Sequence, residues 1–279
     1  MSDFKVYNKC LISKLAPHEV PNTKNIKEEI ERNNCYLARW TSNFDCGYET
    51  EWYYVIKDDK WDISKLNSKD RNVITNGKKN FDVKIIDISA YRQEIYNIYL
   101  EMNKILPKNS RSNKTIDEYC NFGKETICVG AFDKISNDLC GYAILNKYYK
   151  NTKVINFSIL RYLPRWRNKN VNAAIIDFIC NYFLNQNQYE YICDGERSIR
   201  HDTTFQQYLE KYFGFRKCYC DLNIVYSKKV RSIIKILYPF KNIFKYFSRY
   251  NRKIYNIYCI LFQEKLARTF RNRSVNKNV

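Results

Sequence analysis

One short stretch gathers the residues best suited to chemistry: Asp194-Gly195-Glu196-Arg197-Ser198-Ile199-Arg200-His201, directly after the apolar run Tyr191-Ile192-Cys193. Asp194 and Glu196 alternate about Gly195, so on a continuing strand both carboxylates share one face. One could take a proton from an attacking amine while the other orients a positively charged substrate. The same pair could instead hold Arg197 or Arg200 in fork-shaped ion pairs, and that alternative stays open. His201, between Arg200 and Asp202, adds a side chain that titrates near neutrality. Asp194, Glu196 and His201 are therefore the candidate catalytic residues. Cys193 is the nearest thiol, but it belongs to an apolar strand and reads as core. His18, beside Pro17 in a polar stretch, reads as surface.

No metal site is expected around these residues, because ligand-rich spacing is absent. The chain has 11 cysteines, an odd number with no CxxC pair; the nearest approach is Cys218-x-Cys220. They read as buried free thiols in a reducing compartment. The N-terminus shows no charged-then-apolar export segment, and no run of 18 apolar residues occurs, so a cytoplasmic setting without a spanning helix is expected. With 25 Tyr and 16 Phe the core should be largely aromatic, and with only 7 Gly a phosphate-cradling glycine loop has little material.

Charge divides the chain sharply. From Lys228 onward 14 Lys/Arg face one acid, Glu264, so +13 of the net +19 sits in this tail. The tail segments VRSIIKILYPFKNIFKYFSRY and RKIYNIYCILFQEKLARTF are basic, aromatic and helical in pattern, with Pro239 interrupting the first. Two readings stand: helices that pack on the domain with their cations in water, or a peripheral attachment of 228–279 to an anionic membrane surface on its inner face. Nucleic acid ranks behind these, since no zinc-finger, RNP-like or helix-turn-helix signature is present.

The elements that must position the site follow from periodicity. Strands are expected at 35–40 and 50–57, and a helix at 62–77 capped by Asp62 and stopped by Gly77. From 81 the rhythm is strand (81–87), helix (89–105), short helix (115–121), three strands (125–132, 139–148, 153–160), helix (170–184), strand (189–193), helix (203–213) and strand (218–226). The first 30 residues show no clear period. This alternation predicts an α/β or α+β fold with a mixed twisted sheet flanked by helices. The expected divisions are an N-terminal extension over 1–80, a central domain over 81–227 and a helical basic tail over 228–279.

The order of elements over 81–227, about half the chain, resembles the GNAT-type acyl-CoA N-acyltransferase superfamily. In that family a loop rich in Arg/Gln and Gly leads into a helix whose N-terminal amides hold the pyrophosphate of acyl-CoA. The matching stretch is Pro164-Arg165-Trp166-Arg167-Asn168-Lys169-Asn170-Val171-Asn172. Arg167 takes the place of the leading Arg or Gln, while Asn170 and Asn172 stand where the family has Gly and Gly/Ala. Arg165, Arg167, Lys169, Asn170 and Asn172 are therefore the expected cofactor-binding residues, and acetyl-CoA or another acyl-CoA the expected cofactor. Gly214-Phe215 resembles the family's ending of the last major helix. The position four residues before that Gly, where family members often carry a Tyr that protonates the leaving thiolate, is Glu210, flanked by Tyr208 and Tyr212.

A second, shorter likeness covers Ser64 to Val83, where Arg71 and Lys78-Lys79 resemble the FemAB-like branch of the superfamily. That branch transfers aminoacyl groups or acts on cell-envelope precursors in bacteria. Three functions follow as expectations. The first is acyl transfer from acyl-CoA to an amine acceptor, a small molecule or glycan precursor such as an amino sugar or envelope precursor. The others are aminoacyl-tRNA-dependent transfer in the FemAB manner, and a non-catalytic GNAT-shaped module that binds a membrane surface or partner.

Overall fold

The computed structural model describes residues 2–106, 111–123, 125–198 and 204–276. The chain opens with a hairpin, β1 (Phe4–Tyr7) and β2 (Cys10–Ser13), closed by Asn8 and Lys9 at φ 48° and 61°. Two successive left-handed residues make the twist that a tight hairpin needs. Helix α1 (Ile26–Arg32) places Ile26 and Ile30, four apart, on one buried face. Strands β3 (Leu37–Ser42) and β4 (Tyr53–Lys57) follow.

Asp62 does cap a turn, its side chain accepting from the Ser64 amide, but the turn is a single 3-10 piece over Ile63–Lys65. The α-helix starts one cap later, at Asn67, as α2 (Ser68–Asn80), and runs through Gly77 instead of stopping there. Strand β5 (Phe81–Ile86) and helix α3 (Arg92–Ile105) come next. The short α4 (Ile116–Tyr119) is held by a reciprocal capping box between Thr115 and Glu118. Three strands succeed it: β6 (Thr126–Asp133), β7 (Leu139–Tyr148) and β8 (Asn151–Tyr162).

A 3-10 turn at Pro164–Lys169 leads into α5 (Val171–Cys180), which loosens into a π-helical turn over Asn181–Gln186. Strand β9 (Tyr191–Glu196), helix α6 (Phe205–Phe213) and strands β10 (Arg216–Tyr219) and β11 (Asp221–Tyr226) complete the central region. The stretch expected as one strand over 218–226 is thus broken at Cys220. The basic tail forms α7 (Lys228–Leu237), a 3-10 turn at Tyr238–Phe240 around Pro239, α8 (Lys241–Phe247) and α9 (Arg252–Asn276).

The chain divides into two units. The first comprises Met1–Val55, Glu196–Thr203 and Lys217–Val279, so it is assembled from both ends of the sequence. Its four strands run β1-β2-β3-β11, with β2 parallel to β3 and β11 antiparallel to β3 from Asp221↔Ser42 to Tyr226↔Leu37. Ile26 and Ile30 pack with Phe4, Leu11 and Ala38, while Trp52, Cys220 and Leu222 pack with Leu266 and Phe270 of α9.

The second unit comprises Ile56–Gly195 and Thr204–Arg216. Its strands follow the order β9-β8-β7-β6-β5, antiparallel from β5 to β8 and parallel between β8 and β9. Helix α5 buries Val171, Ala174, Ile175, Ile176 and Ile179, and α3 presents Ile95, Ile98 and Tyr99 to Tyr142 and Ile144 of β7. The fold is therefore a mixed α/β one, with sheets flanked by helices, N-terminal strands and a basic helical tail.

Candidate active site

Three backbone positions shape this region of the second unit. Asn170 closes the 3-10 turn and opens α5 at φ 60°, a left-handed conformation that Asn tolerates better than most residues with a side chain. Its carbonyl accepts from the Ala174 amide at 3.2 Å, the first backbone bond of the helix. Helix α2 comes close enough that a Cβ on Gly77 would stand 2.6 Å from the Asn170 oxygen and 3.0 Å from the Ala174 nitrogen. Gly77 is thus required for a close backbone approach and not for helix termination. The third point is Gly195, at φ 84°, where only glycine is comfortable.

A cavity of about 820 Å³ opens within this unit, lined by Arg167, Asn170 and Asn172 from the loop, Asp194 from β9, and Tyr208 and Tyr212 from α6. Burial pushes the Asp194 carboxyl up to about 7, and a hydrogen bond with the Gln206 side chain acts against that rise. Asp194 therefore changes charge in the range where a general base is most useful. Burial also raises the Tyr208 phenol, helped by the neighbouring Tyr212 and Tyr162, while a hydrogen bond with the Asn172 side chain opposes the shift. Tyr208 stays protonated at neutral pH and can donate to an oxygen that gains charge.

The sequence-derived candidates separate into several environments. Asp194, Arg167, Asn170 and Asn172 share the cavity. Arg165 lines a different cavity, together with Glu94, Glu101 and Asp138, and Lys169 lies with its Nζ 4.6 Å from the Trp166 ring centroid. Glu196 accepts a hydrogen bond from Arg39 within the first unit, and the same guanidinium donates to Gln263 at 2.8 Å. Because Gly195 turns the backbone, Asp194 and Glu196 do not have the partners that simple strand alternation implies. His201 lies outside the described residues. Among the described residues no group of three or more His, Cys, Asp or Glu could hold a metal ion.

Gln206 and Tyr162 were not visible as site residues in the sequence. A signal for Gln206 existed: at spacings of three and four with Leu209 and Phe213, it is a polar residue on the buried stripe of α6, only 8% exposed. Tyr162 ends β8 immediately before the loop and carries no such mark.

No protein-family model matches the sequence, and no curated protein sequence matches it. Solved structures do match in fold. The structure of L-PGS from Bacillus licheniformis agrees with a TM-score of 0.53 at 13% identity, over 84% of this chain and 83% of that one. The structure of FemX agrees with a TM-score of 0.53 at 8% identity, over 77% and 81%. The C-terminal domain of a putative lysylphosphatidylglycerol synthetase from Agrobacterium fabrum gives 0.48 at 9% identity, over 84% and 82%. At these identities the first two establish a fold shared with L-PGS and FemX.

The matches correct the expected donor. L-PGS and FemX use aminoacyl-tRNA and not acyl-CoA, so acetyl-CoA or another acyl-CoA is withdrawn as the cofactor. The geometry has a matching physical reason. Where an acyl-CoA loop leaves space with Gly, this chain has the side chains of Asn170 and Asn172, and Asn172 is engaged by Tyr208.

Proposed function

We propose that this chain transfers an aminoacyl group from the ester of an aminoacyl-tRNA to an amine or hydroxyl acceptor of the cell envelope, presented at an anionic membrane surface. The observation that carries the reading is a single cavity holding a carboxyl that titrates at about 7, a neutral phenol and the Arg167 guanidinium. The long-range fold likeness to L-PGS and FemX supports it.

In this mechanism Asp194, as carboxylate, takes the proton of the acceptor N–H or O–H as that atom attacks the acyl carbonyl. A new C–N or C–O bond forms, and the bond to the ribose oxygen breaks. The proton passes from Asp194 to the departing oxygen, while Tyr208 donates a hydrogen bond to the oxygen that carries charge. Arg167, at the mouth of α5, attracts phosphate of the donor's acceptor end. Most of the acceleration comes from holding ester and acceptor together, which needs no covalent enzyme intermediate.

The test is to incubate the protein with tRNA charged with a pool of radiolabelled amino acids, in parallel with phosphatidylglycerol vesicles and with an amine-bearing peptidoglycan precursor. Label appearing in either acceptor, and lost in Asp194→Asn, is the expected result. Absence of label from both acceptors, with the charged tRNA decaying no faster than in buffer, would overturn the reading.

A further inference from the structure

The segment from α7 through α8 has two apolar faces, and only one of them is used. Val230, Ile234, Leu237, Tyr238 and Phe244 turn inward onto Leu261, Ile257 and Ile260 of the first unit. A second series, Ile233, Ile236, Phe240, Ile243, Phe247 and Tyr250, recurs at spacings of three and four and stays in solvent. Its exposure runs from 48% at Phe247 to 75% at Tyr250, far above what a packed helix face shows. Seven Lys/Arg and no acid occupy 228–250, so the stripe lies in a purely cationic surround.

Heptad-like spacing would also suit a helical protein partner. Two features favour a lipid surface instead. A coiled-coil seam needs an unbroken helix, whereas the 3-10 turn at Tyr238–Phe240 breaks this one around Pro239. A pairing helix also uses flanking charges of both signs, and here every flanking charge is positive. Aromatic and aliphatic side chains flanked by lysines whose stems can reach around them match the boundary between acyl chains and anionic headgroups. No helix among the described residues is long and apolar enough to cross a membrane.

We propose that the exposed face of α7 and α8 docks the protein in plane on an anionic phospholipid surface, with Ile236, Phe240 and Ile243 entering the acyl boundary and Lys235, Lys241 and Lys245 engaging headgroups. This docking deepens the transfer reading by giving the site a lipid surface to work at, yet it is measured without any reaction. The full chain is sedimented with vesicles of phosphatidylcholine alone and of equal parts phosphatidylcholine and phosphatidylglycerol. Wild type pellets with the anionic vesicles only. The variant Ile236→Asp/Phe240→Asp/Ile243→Asp, altered only at exposed positions, stays in the supernatant. Lys235→Gln/Lys241→Gln/Lys245→Gln, which keeps the apolar stripe, binds anionic vesicles about tenfold or more weakly. Wild type remaining in the supernatant with anionic vesicles, or equal pelleting with both kinds, overturns the proposal. So does concentration-dependent self-association that the triple Asp variant abolishes, because a second copy would then cover the stripe. Failure of transfer activity with pelleting intact would count against the reaction alone.

Discussion

Gln206, buried on α6, hydrogen-bonds the carboxyl of Asp194 at the end of β9. The amide favours the charged form of an acid that burial disfavours, and so sets where the acid titrates. Gln206→Leu removes that help. The rising limb of the transfer rate, expected near pH 7 in wild type, then moves to higher pH, with the plateau rate largely retained. A pH–rate profile of both proteins checks it, and an unmoved limb would remove Gln206 from the site.

Asp194 also ties stability to pH. Its folded pKa of about 7 lies above the ordinary carboxyl value, so between about pH 4 and 7 the native chain holds a proton that the unfolded chain has released. The stability from that proton is complete below the unfolded pKa and is lost as pH rises through about 7. Asp194→Asn, which cannot ionise, should therefore be more stable than wild type at pH 8 by about 2 kcal/mol, after allowing for partial exposure of the group. It should show no such advantage at pH 4. Urea melts at the two pH values test the sign, while the same variant loses transfer activity.

Gly77→Ala probes the wall of the cavity from outside. The added Cβ meets the backbone of Asn170 and Ala174, neither of which can rotate away. A loss of about 1–3 kcal/mol is expected, together with weakened donor binding, because the displaced loop carries Asn170 and Asn172. A thermal melt and a donor-affinity measurement should move together. Unchanged affinity in a destabilised variant would show that the loop is braced elsewhere.

Trp61 donates its indole N–H to Asp177 at 2.8 Å, and Lys78 reaches the other carboxylate oxygen at 3.2 Å. Asp177 is almost wholly buried on α5. Trp61→Phe keeps the ring packed on Phe213 but leaves the carboxylate short of a donor, which costs about 1–3 kcal/mol. Asp177→Asn in the same background should recover part of that loss in a denaturant titration, since the neutral amide tolerates the missing donor better.

Thiol reactivity gives an independent reading of packing. Nine of the eleven cysteines are buried, and only Cys10 and Cys46 are half-exposed. Burial raises Cys140 to about 11 and Cys128 to about 12, so little thiolate exists there at neutral pH. A thiol reagent should label Cys10 and Cys46 in the native protein and the remainder only after unfolding, as peptide mapping would reveal.

Periodicity made the central elements legible, because β6, β7, α3 and α6 carry their burial pattern in their own residues. The opening hairpin escaped, since its turn is Asn8-Lys9 and lacks the Asn-Gly signature, and its strands are four residues each. Gly77 misled for a tertiary reason: a glycine near a helix end reads as a stop, and nothing local announces that another backbone lies against it. Of the candidate site, Asp194 stood out by residue type, and Asn170 and Asn172 were named only through the family resemblance. The divergent surroundings of Asp194 and Glu196 could not be read in this way, because they depend on one positive φ at Gly195.

The first unit draws its sheet from segments far apart in sequence: β3 finds its neighbour β11 only some 180 residues further along the chain. On the ribosome, β1, β2 and β3 must therefore wait with one edge bare until residues 221–226 have been made, while the second unit, largely continuous in sequence, has its strands to hand earlier. A chain stalled before residue 221 leaves that edge open to pairing with another unfinished chain, so translation speed and chaperone cover should govern the yield of this protein as strongly as any residue in its core.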